Sequence, residues 1–339
     1  MKVSDVGEFG LIDALTGLVE SGAKSGEGWS NLIIGIGDDA AAWRCQSGTQ
    51  LATIDALVEK VHFELGTISW EELGWKSLAI NISDIAAMGG VPRYALVSLA
   101  LPGQTSVDDV LAFYRGMLAV AAKFGVAVVG GNMSAASIVT VSIAVMGEEG
   151  PSGRLLTRSG ARAGDRIAVT GSLGAAAAGL NVLLEKPDIV PETAAALRQA
   201  FVRPIPRVDE GLVLVECGVR AAIDLSDGLL SDLEHICKAS HIGAQVSLDS
   251  VPVDSAVMDS FGDHAVEWGL SGGEDYELLF TAPARVVEEV RASIGCPVTV
   301  IGQMVSGPEA KVTLVDGTGA ELKMPRSGWD HFSRDKHAA

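Results

Sequence analysis

Residues 78–92 read LAINISDIAAMGGVP, an apolar segment that carries one carboxylate, Asp84, and ends on a glycine pair. Extended back to Ser69, the segment places Leu73, Leu78, Ile82, Ile85 and Met88 at close to helical spacing, and Gly89-Gly90 stops the helix. YALVSLAL (94–101) follows as a buried strand. A second helix is expected over SVDDVLAFYRGMLAVAAKFG (106–125), capped by Ser106. VAVVGG (126–131) then reads as a strand entering a glycine turn, and SIVTVSIAVMGE (137–148) as a longer strand. Helices and strands interleave, so the fold class is α/β. An ionised aspartate in such an apolar helix is costly unless it is paired, capped or bound to a metal. Asp84 therefore raises the question of what else along the chain could share it.

The chain has 339 residues, enough for two ordinary domains. A boundary is expected in GEEGPSGRLLTRSGARAGD (147–165), where glycine, proline and charge concentrate, giving units 1–149 and 150–339. The second unit opens with RIAVTGSLGAAAAGLNVLLE (166–185), a strand, glycine turn and helix. It continues with AAIDLSDGLLSDLEHICKAS (221–240), a strand, acidic turn and helix. WGLSGGEDYELLFTAP (268–283) is a glycine-rich acidic turn leading into a strand. Acidic residues outnumber basic ones 43 to 25, a net charge of −18, which argues against nucleic acid or an anionic membrane as the main partner. Cys45, Cys217, Cys237 and Cys296 form no C-x-x-C pair and read as buried, reduced thiols. With no apolar leader at the N-terminus and no span-length apolar run, the expected location is cytoplasmic.

Two phosphate-binding loops can be tested directly. The P-loop pattern is absent. IIGIGDDAAAW (33–43) fits G-x-G-x-x-A after an apolar strand, but Asp38 and Asp39 would face a pyrophosphate and repel it. The same acids make sense around a metal, since Mg²⁺ takes oxygen ligands and bridges carboxylates to nucleotide phosphates. Candidates are Asp39, Asp55 at the end of QLATID, Asp84, and Asp224 and Asp227 in IDLSDG. Each has a structural alternative as a turn or helix cap; as a set in apolar or glycine-rich contexts they favour a shared site.

The segments GIGDDAA, IDALVEKVHF, GWKSLAINISDIAAMGGVPRYALVSLALP, LTRSGARAGDRIAVTGSLG, AAIDLSDGLLSDLEHI, LSGGEDYELLFT and GWDHF, in this order, resemble the thiamine-monophosphate kinases. These belong to the aminoimidazole-ribonucleotide synthetase-like superfamily. The resemblance implies a two-domain α/β fold with mixed sheets, whose N-terminal domains pair into a dimeric β-barrel. It implies ATP-dependent phosphorylation of thiamine monophosphate, with several Mg²⁺ ions and a homodimer. Carried over by position, Asp39, Thr53, Ile54 (through its carbonyl), Asp55, Asp84, Asn132, Asp224 and Asp227 would hold metal, with Asp55, Asp84 and Asp227 at the catalytic centre. Tyr114, Gly131, Asn132, Arg158 and Ser226 would bind ATP, and His62, Glu274 and Trp329 the other substrate. Two departures stand out: Ile54-Asp55 replaces the usual Thr-Asp, and Gly130-Gly131-Asn132 replaces Gly-Gly-Asp.

A phosphate monoester has its second pKa at about 6, so a nucleophile of this kind needs no dedicated base. Its difficulty is meeting another polyanion, which metal ions relieve, and direct in-line transfer is the expected route. Some alternatives remain. His62 could be a satisfied core histidine, Asp275 could exchange roles with Glu274, and Trp329 could be a C-terminal anchor. Selenophosphate synthesis would want a cysteine early in the chain and a hydrogenase-maturation role a C-terminal one; neither is present. A purine-pathway synthetase fits GGEDYEL and GWDHF less well, and a non-catalytic ATP·Mg-binding regulator is the alternative of a different class.

Overall fold

Helix α1, Trp70–Ala87, is buried on almost every side, including the polar residues Lys76, Ser77, Asn81 and Ser83. A helix apolar all round belongs inside a protein rather than on its surface. The computed structural model describes residues 32–34, 38, 41–45, 48–307 and 311–323, and α1 lies between its two sheets. Ser69 and Glu72 start α1 with a reciprocal capping box.

The first sheet contains β1 (Leu32–Ile34), β2 (Ala41–Cys45), β3 (Gly48–Val58), β4 (Gly90–Leu101), β5 (Ala127–Ala135) and β6 (Thr140–Glu149), in the order β1-β2-β3-β6-β4-β5. Only β4 and β5 run parallel; the other pairings are antiparallel. Along β6, buried and partly exposed residues alternate, so Val141, Ile143 and Val145 face the core under α1 and helix α2 (Val107–Phe124). The two helices approach closely at glycines. A Cβ on Gly74 would stand 1.8 Å from Phe113 O, and one on Gly116 1.8 Å from Glu71 O.

One expectation fails here. Gly130-Gly131 is not a turn, since β5 continues through it to Ala135. Gly131 is glycine because a Cβ there would lie 1.9 Å from Val97 O of the neighbouring strand. Among the described residues the first sheet is open, with β1 and β5 as its edges, and no barrel closes within the chain.

The second sheet is also mixed. It contains β7 (Arg166–Thr170), β8 (Ala221–Asp224), β9 (Gly243–Ser247), β10 (Leu278–Ala282), β11 (Val298–Val305) and β12 (Val312–Val315), ordered β12-β9-β11-β7-β10-β8 with only β12 and β9 parallel. Its central strands are apolar at successive positions because both faces are covered: Leu279 and Ile223 join one core, Leu278, Phe280 and Ala222 another. The helices around it are α3 (Ala175–Glu185), α4 (Pro191–Val202), α5 (Val208–Glu216), α6 (Leu229–Ser240), α7 (Ser255–Phe261), α8 (Asp263–Ser271) and α9 (Ala284–Ser293). Among the described residues, no helix is long and apolar enough to cross a membrane. Cys217, Cys237 and Cys296 are free thiols.

Candidate active site

The inward face of β3 meets the C-terminal half of α1. Thr53 Oγ1 donates to Asp84 Oδ2 at 2.5 Å, and the Asp55 amide donates to Asn81 Oδ1 at 2.9 Å. Asn81 is itself fixed by donating to Ser77 O at 3.0 Å. One residue before Asp84, Ser83 Oγ donates to Asp224 Oδ2 at the end of β8. Asp84 thus lies where α1 leaves the first sheet and touches the second.

Beyond β8 the acidic turn folds over its own helix. Asp232, in the first turns of α6, accepts the amides of Ser226, Asp227 and Gly228 at 3.1, 3.2 and 3.1 Å. Burial, then Asp227 and Asp224, push its carboxyl well above the usual range, while Arg158 opposes the shift. Asp227, Asp232 and His235 present ligand atoms within 4.8 Å of one another. His235 is held neutral near pH 7, its pKa pulled down to about 4 by burial and then by Arg158 and Lys238. Arg158 therefore points its charge into this corner, anchored by its own amide on Asp38 Oδ1 at 2.9 Å.

The GGEDY turn closes the third side. Gly273, Glu274 and Tyr276 have positive φ values of 69°, 58° and 50°. Glu274 and Tyr276 hold this shape by donating their amides to Ser226 O and Leu225 O at 2.8 and 2.9 Å. Tyr276 is buried, and its phenol is raised well above its ordinary pKa by burial, then by Glu274, Asp55, Asp224 and Asp84. Carboxylates from β3, α1, β8 and this turn therefore all lie within electrostatic reach of one hydroxyl. The adjacent Asp275 has another task. Its two oxygens accept the amides of Gly174 and Ala176 at the start of α3, at 2.9 and 3.3 Å. Its carboxylate is thereby engaged at the start of α3. Behind the turn, Glu277 accepts from Thr170 Oγ1 at 2.6 Å and takes both ends of the Arg207 guanidinium.

The structure brings together Thr53, Asp55, Asp84, Asp224, Ser226, Asp227, Arg158 and Glu274. His62 sits in the turn after β3, where its Nδ1 accepts the Val58 amide at 3.0 Å; its Nε2 therefore carries the proton in the neutral ring. Ile54 turns its side chain to the opposite face and is 67% exposed. Gly131 is in register with Asp55 through Ile143 and Val97, three strand spacings away, roughly 14 Å. Asn132 pairs with Ser98 on the outward face, away from Thr53 and Asp55. Tyr114, on α2, packs edge-to-face on Phe113 with centroids 5.7 Å apart. Asp39 and Trp329 lie outside the described residues.

Asp232, Tyr276 and Lys76 escape the sequence reading. Lys76 carried a signal: three residues after Leu73 and four before Ile80, it falls on the buried stripe of α1. Asp232 stands four residues after Gly228, where a carboxylate can reach back to loop amides.

Two family models match the chain: the AIR synthase related protein N-terminal domain over residues 37–148 and the corresponding C-terminal domain over residues 162–315. The fold is thus the two-domain AIR synthase-like fold. The thiamine-monophosphate kinase of Bacillus subtilis (strain 168) is 37% identical over 316 residues, 89% of this chain and 94% of that protein. A solved structure described as AaThiL complexed with AMPPCP and TMP superposes with a TM-score of 0.83 at 33% identity, covering 98% of this chain and 99% of that one. The hydrogenase maturation protein HypE of E. coli shares the fold alone, with a TM-score of 0.64 at 20% identity over 81% of this chain and 85% of its own. The chain belongs to the thiamine-monophosphate kinase family, a family of phosphotransferases.

Proposed function

We propose that the chain transfers the γ-phosphoryl group of ATP to the phosphate of thiamine monophosphate, giving thiamine diphosphate and ADP. The observation that carries this is the meeting of acids from both sheets on one helix: Thr53 of β3 holds Asp84, the Asp55 amide rests on Asn81, and the neighbouring Ser83 donates to Asp224 of β8. Support also comes from the family and from a neighbour at 33% identity described with AMPPCP and TMP.

Both reactants are anions and the chain carries −18, so the site needs cations to admit them. The donor set fits Mg²⁺: hard carboxylate oxygens on rigid elements, near the end of a strand. Asp55, Asp84, Asp224 and Asp227 would hold such ions, which when bound neutralise charge on phosphate oxygens. Thr53 and Ser83 each donate to one oxygen of an aspartate, which fixes the rotamers of Asp84 and Asp224 before any ligand arrives. Arg158 supplies a fixed positive charge beside Asp227 and Asp232. In the transfer, an oxygen of the acceptor phosphate forms the new P–O bond as the bond to the ADP oxygen breaks. The acceptor is already largely dianionic, so no residue need remove a proton.

A domain boundary at 149/150 is supported by the gap between the two family-model matches. Homodimerisation through the first sheet is supported by its outward face, where Ile54, Tyr94 and Leu96 are 67%, 51% and 40% exposed. On this reading, Gly131 and Asn132 act at the edge of the paired sheets rather than beside Asp55.

Incubation with ATP, Mg²⁺ and thiamine monophosphate tests the proposal, with thiamine diphosphate and ADP expected in equal amounts. ATP binding without turnover would leave the regulator reading in its place.

A further inference from the structure

Lys76 has no part in the mechanism above, yet it is among the largest fully buried side chains, 2% exposed. Its Nζ lies 3.0 Å from Glu274 Oε1 and 3.3 Å from the centroid of the Phe201 ring. Glu274 is its ion-pair partner among the described residues. Burial pulls its pKa down, and Glu274 opposes that shift. A methionine would fill the same space without the cost of enclosing an ammonium, so packing alone does not account for a lysine here.

The other partner is equally unusual. Glu274 is a non-glycine residue in the left-handed region, with a side chain 30% exposed. Asp55, Asp84 and Asp224 share its surroundings, since all four act on Tyr276. Without a nearby cation, those charges would drive the Glu274 carboxylate away from them.

We propose that Lys76 is a positioning residue: its buried ammonium, backed by Phe201, holds the Glu274 carboxylate at the mouth of the acidic site to receive a cationic substrate ring. The aromatic face and the carboxylate both contact the ammonium, while the Glu274 side chain keeps 30% exposure. The inference rests on the reading of Glu274 as a contact for the thiamine moiety.

The test is a double-mutant cycle on the full chain: wild type, Lys76→Met, Glu274→Gln and the double variant, with thiamine monophosphate and ATP varied separately. Loss of a contact to a charged group predicts a rise of about tenfold in KM for thiamine monophosphate in Lys76→Met, with KM for ATP nearly unchanged. The double variant should be no worse than Glu274→Gln alone, because Lys76 acts through that residue. Lys76→Arg should recover part of the loss. If Lys76→Met does not fold, Lys76→Gln carries the same cycle. Additive losses, an equal rise in KM for ATP, or a silent Lys76→Met or Glu274→Gln would each overturn the inference. A wild-type chain that makes no thiamine diphosphate would overturn the functional reading as well; wild-type turnover with an additive cycle overturns this inference alone.

Discussion

Ser83 Oγ donates to Asp224 Oδ2 at 2.5 Å, joining a helix of the first domain to the last residue of a strand in the second. Both side chains are buried, so the hydroxyl serves a carboxylate that water does not reach well. Ser83→Ala should therefore destabilise the fold by about 1.5–3 kcal/mol, the range for a hydrogen bond to a charged group. Urea denaturation checks this, and an unchanged midpoint would mean that Asp224 finds another donor.

Asp55→Asn and Asp84→Asn keep side-chain shape and, for Asp84, an acceptor for Thr53. Each should lower kcat by roughly 10²–10³, the scale of losing one electrostatic stabiliser, while circular dichroism stays native. Near-normal turnover in both variants would remove the shared-site argument.

Arg207→Met should be far more damaging to stability than to the site's charge. Glu277 is 7% exposed, and the guanidinium grips both of its oxygens. Removing one member of such a pair strands the other and costs about 3–5 kcal/mol. The loss should read out in chemical denaturation, and pairing it with Glu277→Gln should recover part of it.

Asp275 gives a pH dependence with a definite sign. Burial raises its folded pKa from the ordinary 3.8 to about 7, against the opposing amides of Gly174 and Ala176. The folded state thus binds this proton more tightly than the unfolded chain does. Its contribution to stability is fully present below about pH 4 and is lost as pH rises through 7. Tm measured from pH 5 to 8 should carry a falling component that Asp275→Asn abolishes.

Leu96→Asp places a charge in the outward-facing row formed by Ile54, Ala144 and Leu96. If two copies pair through this face, the variant should sediment as a monomer at concentrations where the wild type is dimeric.

The sequence carries α1 clearly, because its apolar spacing and the glycine pair are local signals. Its glycines were harder to read. Gly130-Gly131 resembles a turn when β5 is read alone, and only the approach of Val97 O shows why Gly131 is there. The acids were legible as a set through their settings and through family resemblance. Their partners were not, since Thr53 meets Asp84 across 31 residues and Ser83 meets Asp224 across 141. The engagement of Asp275 likewise depends on a helix start about a hundred residues upstream, which no local pattern in GGEDY reveals.

α1 gives one flank to Ile82 and Ile85, packed under the first sheet, and its end to Ala87, packed with Leu278 and Phe280 of the second. Helix α5 presses so closely that a Cβ on Gly211 would come within 2.1 Å of Ala86 O. Severing the polypeptide between its halves would uncover greasy surface on both fragments. Neither piece should stay in solution by itself, whereas the two made together in one cell should re-form the catalyst.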